Sequence, residues 1–297
     1  MRFVLISFFV LTVIAWLQNP VPAYAQQLLD VQTHASDGKP RMLAFFPTTS
    51  NAGELVLFDE TGHRLLTRAF PFSLRAVCIG KNHGFIVAPT TGGLLYLDER
   101  MRVKIQIPGY VYETLACTVD TIYAAGRTTR IYQFDFPNLL HRQIAAEVDS
   151  FVPRIIATNA AIVAVSWDGS AVIIGPNPSP LRLYVSHRSL IGLTGAPNSW
   201  IALTESHRIM FFAPNGVTGY FQVEDARMLA TSPQGILAVM NSNNEIFFYR
   251  RAKMHWIAMR RHSKLPDSLK PIALAYLTGH RWVVLTSSSI TIFETPH

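Results

Sequence analysis

Five cations recur where short apolar segments begin: Arg75, Arg154, Arg188, Arg227 and Lys270. If those segments converge on an axis, their entrances line one mouth of a central channel. Positive side chains gathered there form a funnel that focuses the field on an anionic ligand or an acidic partner. Glu113 takes the matching place in the third segment, and the competing reading has each cation reach solvent or pair locally with Asp149, Glu224 or Asp225. Trp167, in the sequence WDG, and His207, in ESH, occupy turns expected on the same face. They are candidate ligand contacts, although ordinary turn chemistry accounts for them equally well.

A second basic feature is RRAKMHWIAMRRHSK, residues 250 to 264, which carries Arg250, Arg251, Lys253, Arg260, Arg261 and Lys264 and no acid. With Trp256 and Met259 on an apolar strand, the cations are expected on the flanking turns, where they can meet anionic lipid, lipopolysaccharide or an acidic protein face. A solvated basic edge is the alternative. Two cysteines, Cys78 and Cys117, lie in adjacent segments of one type. An oxidising compartment favours a disulfide between them. Alignment offsets them by one residue, which would turn the thiols to opposite faces, so a bridge and two buried thiols both stay open.

Catalytic signatures do not emerge. There is no G-x-S-x-G, H-E-x-x-H, C-x-x-C or G-x-x-x-x-G-K-[ST], and no D-x-[DN]-x-[DN]-G calcium loop. The ten histidines are scattered, so neither a metal nor any other cofactor is expected. Asp59, Asp98 and Asp135 end the same repeated strand. They read as turn-initiating residues that accept hydrogen bonds from the backbone two residues on, or else as an acidic arc.

The elements that hold these residues begin after residue 25. The first 25 residues place Arg2 before an apolar run from Phe3 to Leu17, then Pro20, Pro22, Ala23 and Ala25. This is the pattern of a secretory signal peptide with an A-x-A cleavage site, its apolar run too short for a membrane span. Without a twin Arg before the run or a Cys after it, the expected destination is the periplasm or the exterior, without a lipid anchor. Export in turn disfavours nucleic acid as a partner, despite a net charge of +7. Of 26 cations 20 are Arg, a bias that suits planar recognition of carboxylates and phosphates.

Residues 26 to 297 read as one all-β domain. A single strand type recurs as ELVLFD, GLLYLD, RIYQFD, SAVIIG, RIMFFA, EIFFYR and SITIFE, starting at residues 54, 93, 130, 170, 208, 245 and 289. Each is preceded by a strand with a small residue at a matching place, Ala44, Ala88, Ala124, Ala164, Ala202 and Ala238, then Val284. A period near forty with four short strands per unit predicts a seven-bladed β-propeller of four-stranded antiparallel blades. The last unit supplies only three strands. The segment QLLDVQTH, residues 27 to 34, is expected either to complete that blade or to form the inner strand of the first.

Strands such as GELVLFDETGHRLLTRAF and GGLLYLDERMRVKIQI resemble blades of the broad WD40-like and quinoprotein-like (PQQ-like repeat) propellers. The likeness lies in repeat length and pattern, for the Gly-His and Trp-Asp signatures and the tryptophan-docking motif are absent. It implies a fold rather than a chemistry. Rigid blades with variable turns suit an exported, non-enzymatic platform for a protein or ligand, or a subunit of a cell-envelope assembly. The resemblance also keeps open an axial enzyme of quinoprotein or lactonase type, although the inner strands offer only Glu113 and Asp120 as acids, a thin supply for calcium.

Overall fold

Runs rich in Val, Ile, Leu, Phe and Tyr, broken every few residues by Gly, Asp, Asn and Pro, can satisfy their backbone only by pairing with their neighbours. They do so as seven consecutive antiparallel sheets, each drawn from one stretch of chain. The computed structural model describes residues 27–33, 38–49, 51–80, 84–136, 139, 142–158, 161–175, 179–196, 199–252 and 255–295. Residues 1–25, the expected signal peptide, lie outside them, as does Lys253.

Blade one comprises β1 (Leu29–Thr33), β2 (Pro40–Thr49), β3 (Ala52–Phe58) and β4 (Arg64–Phe70). Blade two comprises β5 (Leu74–Ile79), β6 (Phe85–Pro89), β7 (Leu94–Leu97) and β8 (Val103–Ile107), and blade three β9 (Tyr112–Cys117), β10 (Thr121–Gly126), β11 (Arg130–Asp135) and β12 (Gln143–Glu147). Blade four is β13 (Arg154–Ala157), β14 (Ile162–Val165), β15 (Ser170–Ile174) and β16 (Leu181–Tyr184). Blade five is β17 (Leu190–Ala196), β18 (Ser199–Thr204), β19 (Arg208–Ala213) and β20 (Gly216–Gln222). Blade six is β21 (Ala226–Thr231), β22 (Ile236–Asn241), β23 (Glu245–Ala252) and β24 (His255–Lys264). Blade seven has three strands among the described residues, β25 (Pro271–Thr278), β26 (Arg281–Thr286) and β27 (Ile290–Glu294). Four-stranded blades are therefore the rule for six of the seven.

The inner strands β1, β5, β9, β13, β17, β21 and β25 contact one another in cyclic order, which closes the ring. Of the two places foreseen for the N-terminal strand, β1 takes the inner position of blade one, paired antiparallel with β2. Blade seven meets blade one by side-chain packing, with Leu277, Val283 and Leu285 in the same buried cluster as Leu29, Leu43 and Phe45. At that seam Arg281 Nη1 donates to the Glu60 carbonyl at 3.0 Å. The small residues of the second strands, Ala44, Ala88, Ala124, Ala164, Ala202 and Ala238, are all fully buried. Wedge-shaped sheets packed face to face leave no room there for a larger side chain.

Two of the three repeated aspartates organise turns. Asp59 Oδ1 accepts from the Thr61 and His63 N–H groups at 2.8 and 3.0 Å. Asp98 Oδ1 does the same for Arg100 and Arg102 at 3.0 and 2.8 Å. The Thr61 hydroxyl, followed by these N–H groups, holds the Asp59 carboxyl down to about 2. Asp98 also falls to about 2, against desolvation, through its bonds from Arg102.

Cys78 of β5 and Cys117 of β9 form a disulfide between the inner strands of blades two and three, with Cα atoms 6.4 Å apart. The one-residue offset in alignment does not turn the thiols apart, because these strands belong to different sheets and no ladder fixes their mutual register. The bridge closes a loop of sequence separation 39. In the chain-entropy account that constrains the unfolded chain by roughly 4 kcal/mol. Cys78→Ser with Cys117→Ser is expected to lower the unfolding free energy of the oxidised protein by about that amount in urea titration. Added reductant should leave the double variant unchanged, and an equal response of both proteins to reductant would contradict the assignment.

Candidate functional site

The top face, where inner strands begin and second strands turn into third strands, holds the residues singled out by sequence. They do not form one funnel of free cations. Arg75 and Arg127 converge on Glu113, with Arg75 Nη1 3.6 Å from Oε2 and Arg127 Nε 3.2 Å from Oε1. Glu113 is fully buried. Its space exists because Gly126 lacks a side chain: a Cβ there would lie 2.8 Å from Glu113 N and 3.2 Å from its Cγ. Desolvation pushes the Glu113 carboxyl up, against the pull of both guanidinium groups.

Deeper in the shaft, Asp30 Oδ2 accepts from the Ile79 N–H at 2.7 Å. Burial pushes its carboxyl up, opposed by that hydrogen bond and by the charge of Arg154. Arg154, of blade four, is held below its ordinary value by its own desolvation, with Asp30 acting the other way. A carboxyl of blade one and a guanidinium of blade four thus feel each other's charge.

Gln27 fills the remaining space. Its N–H donates to the Arg75 carbonyl at 3.0 Å, and its carbonyl accepts from Val77 N at 2.8 Å. Its Oε1 accepts from Thr114 Oγ1 at 2.9 Å and from Leu115 N at 3.0 Å. Thr114 Oγ1 in turn accepts from Ile155 N at 3.0 Å. One buried amide and one hydroxyl therefore tie together blades two, three and four.

The other predicted contacts are dispersed. Arg227 and Lys270 are exposed and form no ion pair among the described residues. Trp167 packs edge-on against Phe151, ring centroids 4.9 Å apart, in a turn that Gly169 closes with φ of 85°. His207 is engaged in its own wall, with Nδ1 2.9 Å from the Ala226 carbonyl and Nε2 3.7 Å from Asp225. Asp149, a foreseen partner for the mouth cations, pairs instead with Arg182. Asp120 sits in the turn between β9 and β10 rather than in an inner strand.

Arg188 has different surroundings. It lines a cavity of about 390 Å³ with Val185, Ser186, His187, Ser206, Arg208, Met210, Tyr220 and Gln222. The register pairs Arg208 with Gln222 and Met210 with Tyr220, so alternation sends these four side chains to one face of blade five. The loop from β16 to β17 covers that face. Arg208 lies over the Tyr220 ring, 5.4 Å from its centroid. Arg208 was legible only as the first residue of RIMFFA, with nothing to mark it as a site residue.

In the basic stretch the cations stand mostly within strands rather than on flanking turns. Arg250 and Arg251 end β23, and Arg260, Arg261 and Lys264 belong to β24. The pairs Phe247↔His262 and Tyr249↔Ala258 leave one residue of β23 opposite three of β24. That bulge places Arg260 and Arg261 outside the regular ladder and lets β24 run for ten residues. Arg251 Nη1 reaches Ser199 of blade five at 3.4 Å, and Lys264 pairs with Asp267 at 3.4 Å. Among the described residues no three of His, Cys, Asp and Glu gather as metal ligands.

Seven sheets in a closed ring define a seven-bladed β-propeller. No family model matches the chain, and no curated protein does. Its fold is similar to that of a chain in the "Crystal Structure of Mitotic Checkpoint Complex", with a TM-score of 0.75, 11% identity, and 92% of this chain and 87% of that one covered. It is also similar to "Structure of U3-55K", with a TM-score of 0.70, 9% identity and coverage of 87% and 88%. At these identities the likeness is one of fold.

The buried carboxyl predicts a pH effect of definite sign. Because the folded-state pKa of Glu113 is raised above an unfolded value of about 4.3, its contribution is greatest below that value and is lost as pH rises through the folded pKa. Glu113→Gln removes the titration. Wild-type stability measured relative to this variant is expected to fall between pH 4 and pH 7 in urea titrations. A difference that rises over that interval would mean the carboxyl is stabilised as the anion. Asp59 and Asp98, present in both proteins, act with the opposite sign and at lower pH.

Proposed function

We propose that this protein is an exported, non-enzymatic propeller that acts as a binding platform for a protein partner in the cell envelope. One observation carries the reading. The carboxylates at the axis, where a propeller enzyme would hold catalytic groups or calcium, are engaged with guanidinium groups and the backbone of the shaft, whereas accessible cations lie on the outer rim and on blade six. Internal pairing stabilises a rigid ring, and exposed charge is what an approaching acidic surface meets first. The Cys78–Cys117 disulfide and the signal-like first 25 residues support export. Similarity to a chain within the mitotic checkpoint complex is in keeping with an assembly subunit.

The basic stripe is the first surface to test. Wild-type protein and a variant with Arg250→Glu, Arg251→Glu, Arg260→Glu and Arg261→Glu are used to recover partners from native envelope extracts. A stoichiometric partner is expected with the wild type, with at least a tenfold lower yield from the variant. Equal yields would move the contact to another face. Bound calcium or quinone in the purified protein, or the absence of any stoichiometric partner, would overturn the platform reading in favour of an axial enzyme.

A further inference from the structure

We propose that the cavity on the top rim of blade five is a binding site for a phosphate monoester carried on a small organic body. This deepens the platform reading by naming a ligand class for one of its surfaces, and its test does not depend on recovering a protein partner.

The first argument is charge without compensation. Arg188 comes from the loop between β16 and β17, Arg208 from the start of β19, and both are exposed. Neither forms an ion pair among the described residues, and no Asp or Glu lines the cavity. Elsewhere on this molecule arginines facing a recess have taken a carboxylate, as Arg75 and Arg127 have taken Glu113. Two guanidinium groups converging on one concave space suit a dianion, because each presents paired N–H donors to two oxygens.

Hydroxyl chemistry points the same way. Ser186 Oγ accepts from Arg188 N at 3.0 Å, so its own proton remains available for donation. That bond also fixes the backbone from which the Arg188 side chain departs. Ser206 Oγ shares one proton with Thr204 Oγ1 at 3.1 Å, and the Tyr220 hydroxyl and the Gln222 amide complete the rim. His187 is oriented by Tyr184, whose hydroxyl lies 2.9 Å from Nδ1, which leaves Nε2 for a ligand. Most of these groups can donate, as an oxyanion requires.

Shape sets the rest of the ligand. A space of about 390 Å³ falls at the lower end for small-molecule sites and is too large for an inorganic ion alone. Its floor is apolar, with Met210 and Val185 buried beneath it, and Tyr220 presents a face already stacked on by Arg208. That contact confines the guanidinium group to the side of the ring while its N–H groups remain free to donate. A sugar-sized body therefore rests on the floor while its phosphate meets Arg188 and Arg208.

Such a phosphate has two sources, a soluble ester or the headgroup of a lipid, and the experiment separates them. Purified wild-type protein is titrated calorimetrically with glucose 1-phosphate, glucose and acetate, and sedimented with vesicles of phosphatidylcholine with or without phosphatidic acid. Saturable binding of glucose 1-phosphate is expected, with at least tenfold weaker binding of glucose and acetate. Arg188→Gln and Arg208→Gln should each weaken it at least tenfold, and Arg227→Gln, a cation outside the cavity, should not. Sedimentation with phosphatidic acid that both cavity variants lose, without glucose 1-phosphate binding, would assign the site to lipid headgroups. No saturable binding of either probe by folded wild-type protein, or affinities unchanged in both cavity variants, would overturn the proposal. Thermal melts confirm folding; should Arg208→Gln fail to fold, Arg208→Lys, which keeps charge but loses the planar fork, gives the same reading. Partner recovery from extracts is scored separately, so either reading can fail alone.

Discussion

Closing seven wedge-shaped sheets into a ring brings their inner edges together around one axis, where buried backbone and side-chain polar groups must find partners. This molecule meets that demand with a few side chains. Gln27 bonds to the backbones of β5 and β9, and Thr114 extends the connection to β13. On the other side of the ring, Thr231 N donates to Thr194 Oγ1 at 3.1 Å, and the Thr231 hydroxyl reaches the Gly195 carbonyl at 2.5 Å, joining blades six and five. Buried polar groups left unpaired cost more than paired ones return, so these bonds tie neighbouring inner strands together.

The same constraint explains where the charge is. A carboxylate in the shaft is costly unless cations approach it, and the cations available are those at the inner-strand entrances. Arg75 is therefore consumed by the architecture through Glu113, and Arg154 is withdrawn from solvent, with the charge of Asp30 acting on it. What remains for recognition lies further out. Arg188 and Arg208 face a cavity on the rim, Arg227 and Lys270 face solvent, and the basic stripe follows the last hairpin of blade six. A common sequence position thus divides into supporting and accessible cations according to the acid each can reach.

That division marks the limit of what the sequence makes legible. Period, strand type, the alanines of the second strands and the turn-forming Asp59 and Asp98 are local signals. Each depends on residues within one blade, so the order of residues along that blade is enough to reveal it. Asp30 and Arg154 are 124 positions apart, and each feels the other's charge only because the ring gathers blades one and four around one axis. Asp30 was hidden further, because its strand had two possible blades. Arg208 and Tyr220 are cross-strand neighbours within one hairpin region, and alternation could have placed them on one face. Nothing in that hairpin says that the loop leaving blade four would roof it.

Blade seven shows how closure and recognition are connected. Its three strands meet blade one through Leu277, Val283 and Leu285 rather than through a shared ladder, so the seam rests on apolar burial and on the bond from Arg281 to Glu60. Burial of this kind is non-directional; the direction comes from the polar contact between Arg281 and the Glu60 carbonyl. Glu60 is also paired with Lys39 and Arg41, at 3.3 and 3.5 Å, so its backbone carbonyl is held where Arg281 can reach it. A seam fixed in this way resists opening, and Arg188, in the loop that leaves blade four, has its backbone held by the bond from its N–H to Ser186 Oγ, beside Arg208 of blade five. A backbone that is already ordered lowers the entropic cost of gathering two guanidinium groups on a single anion.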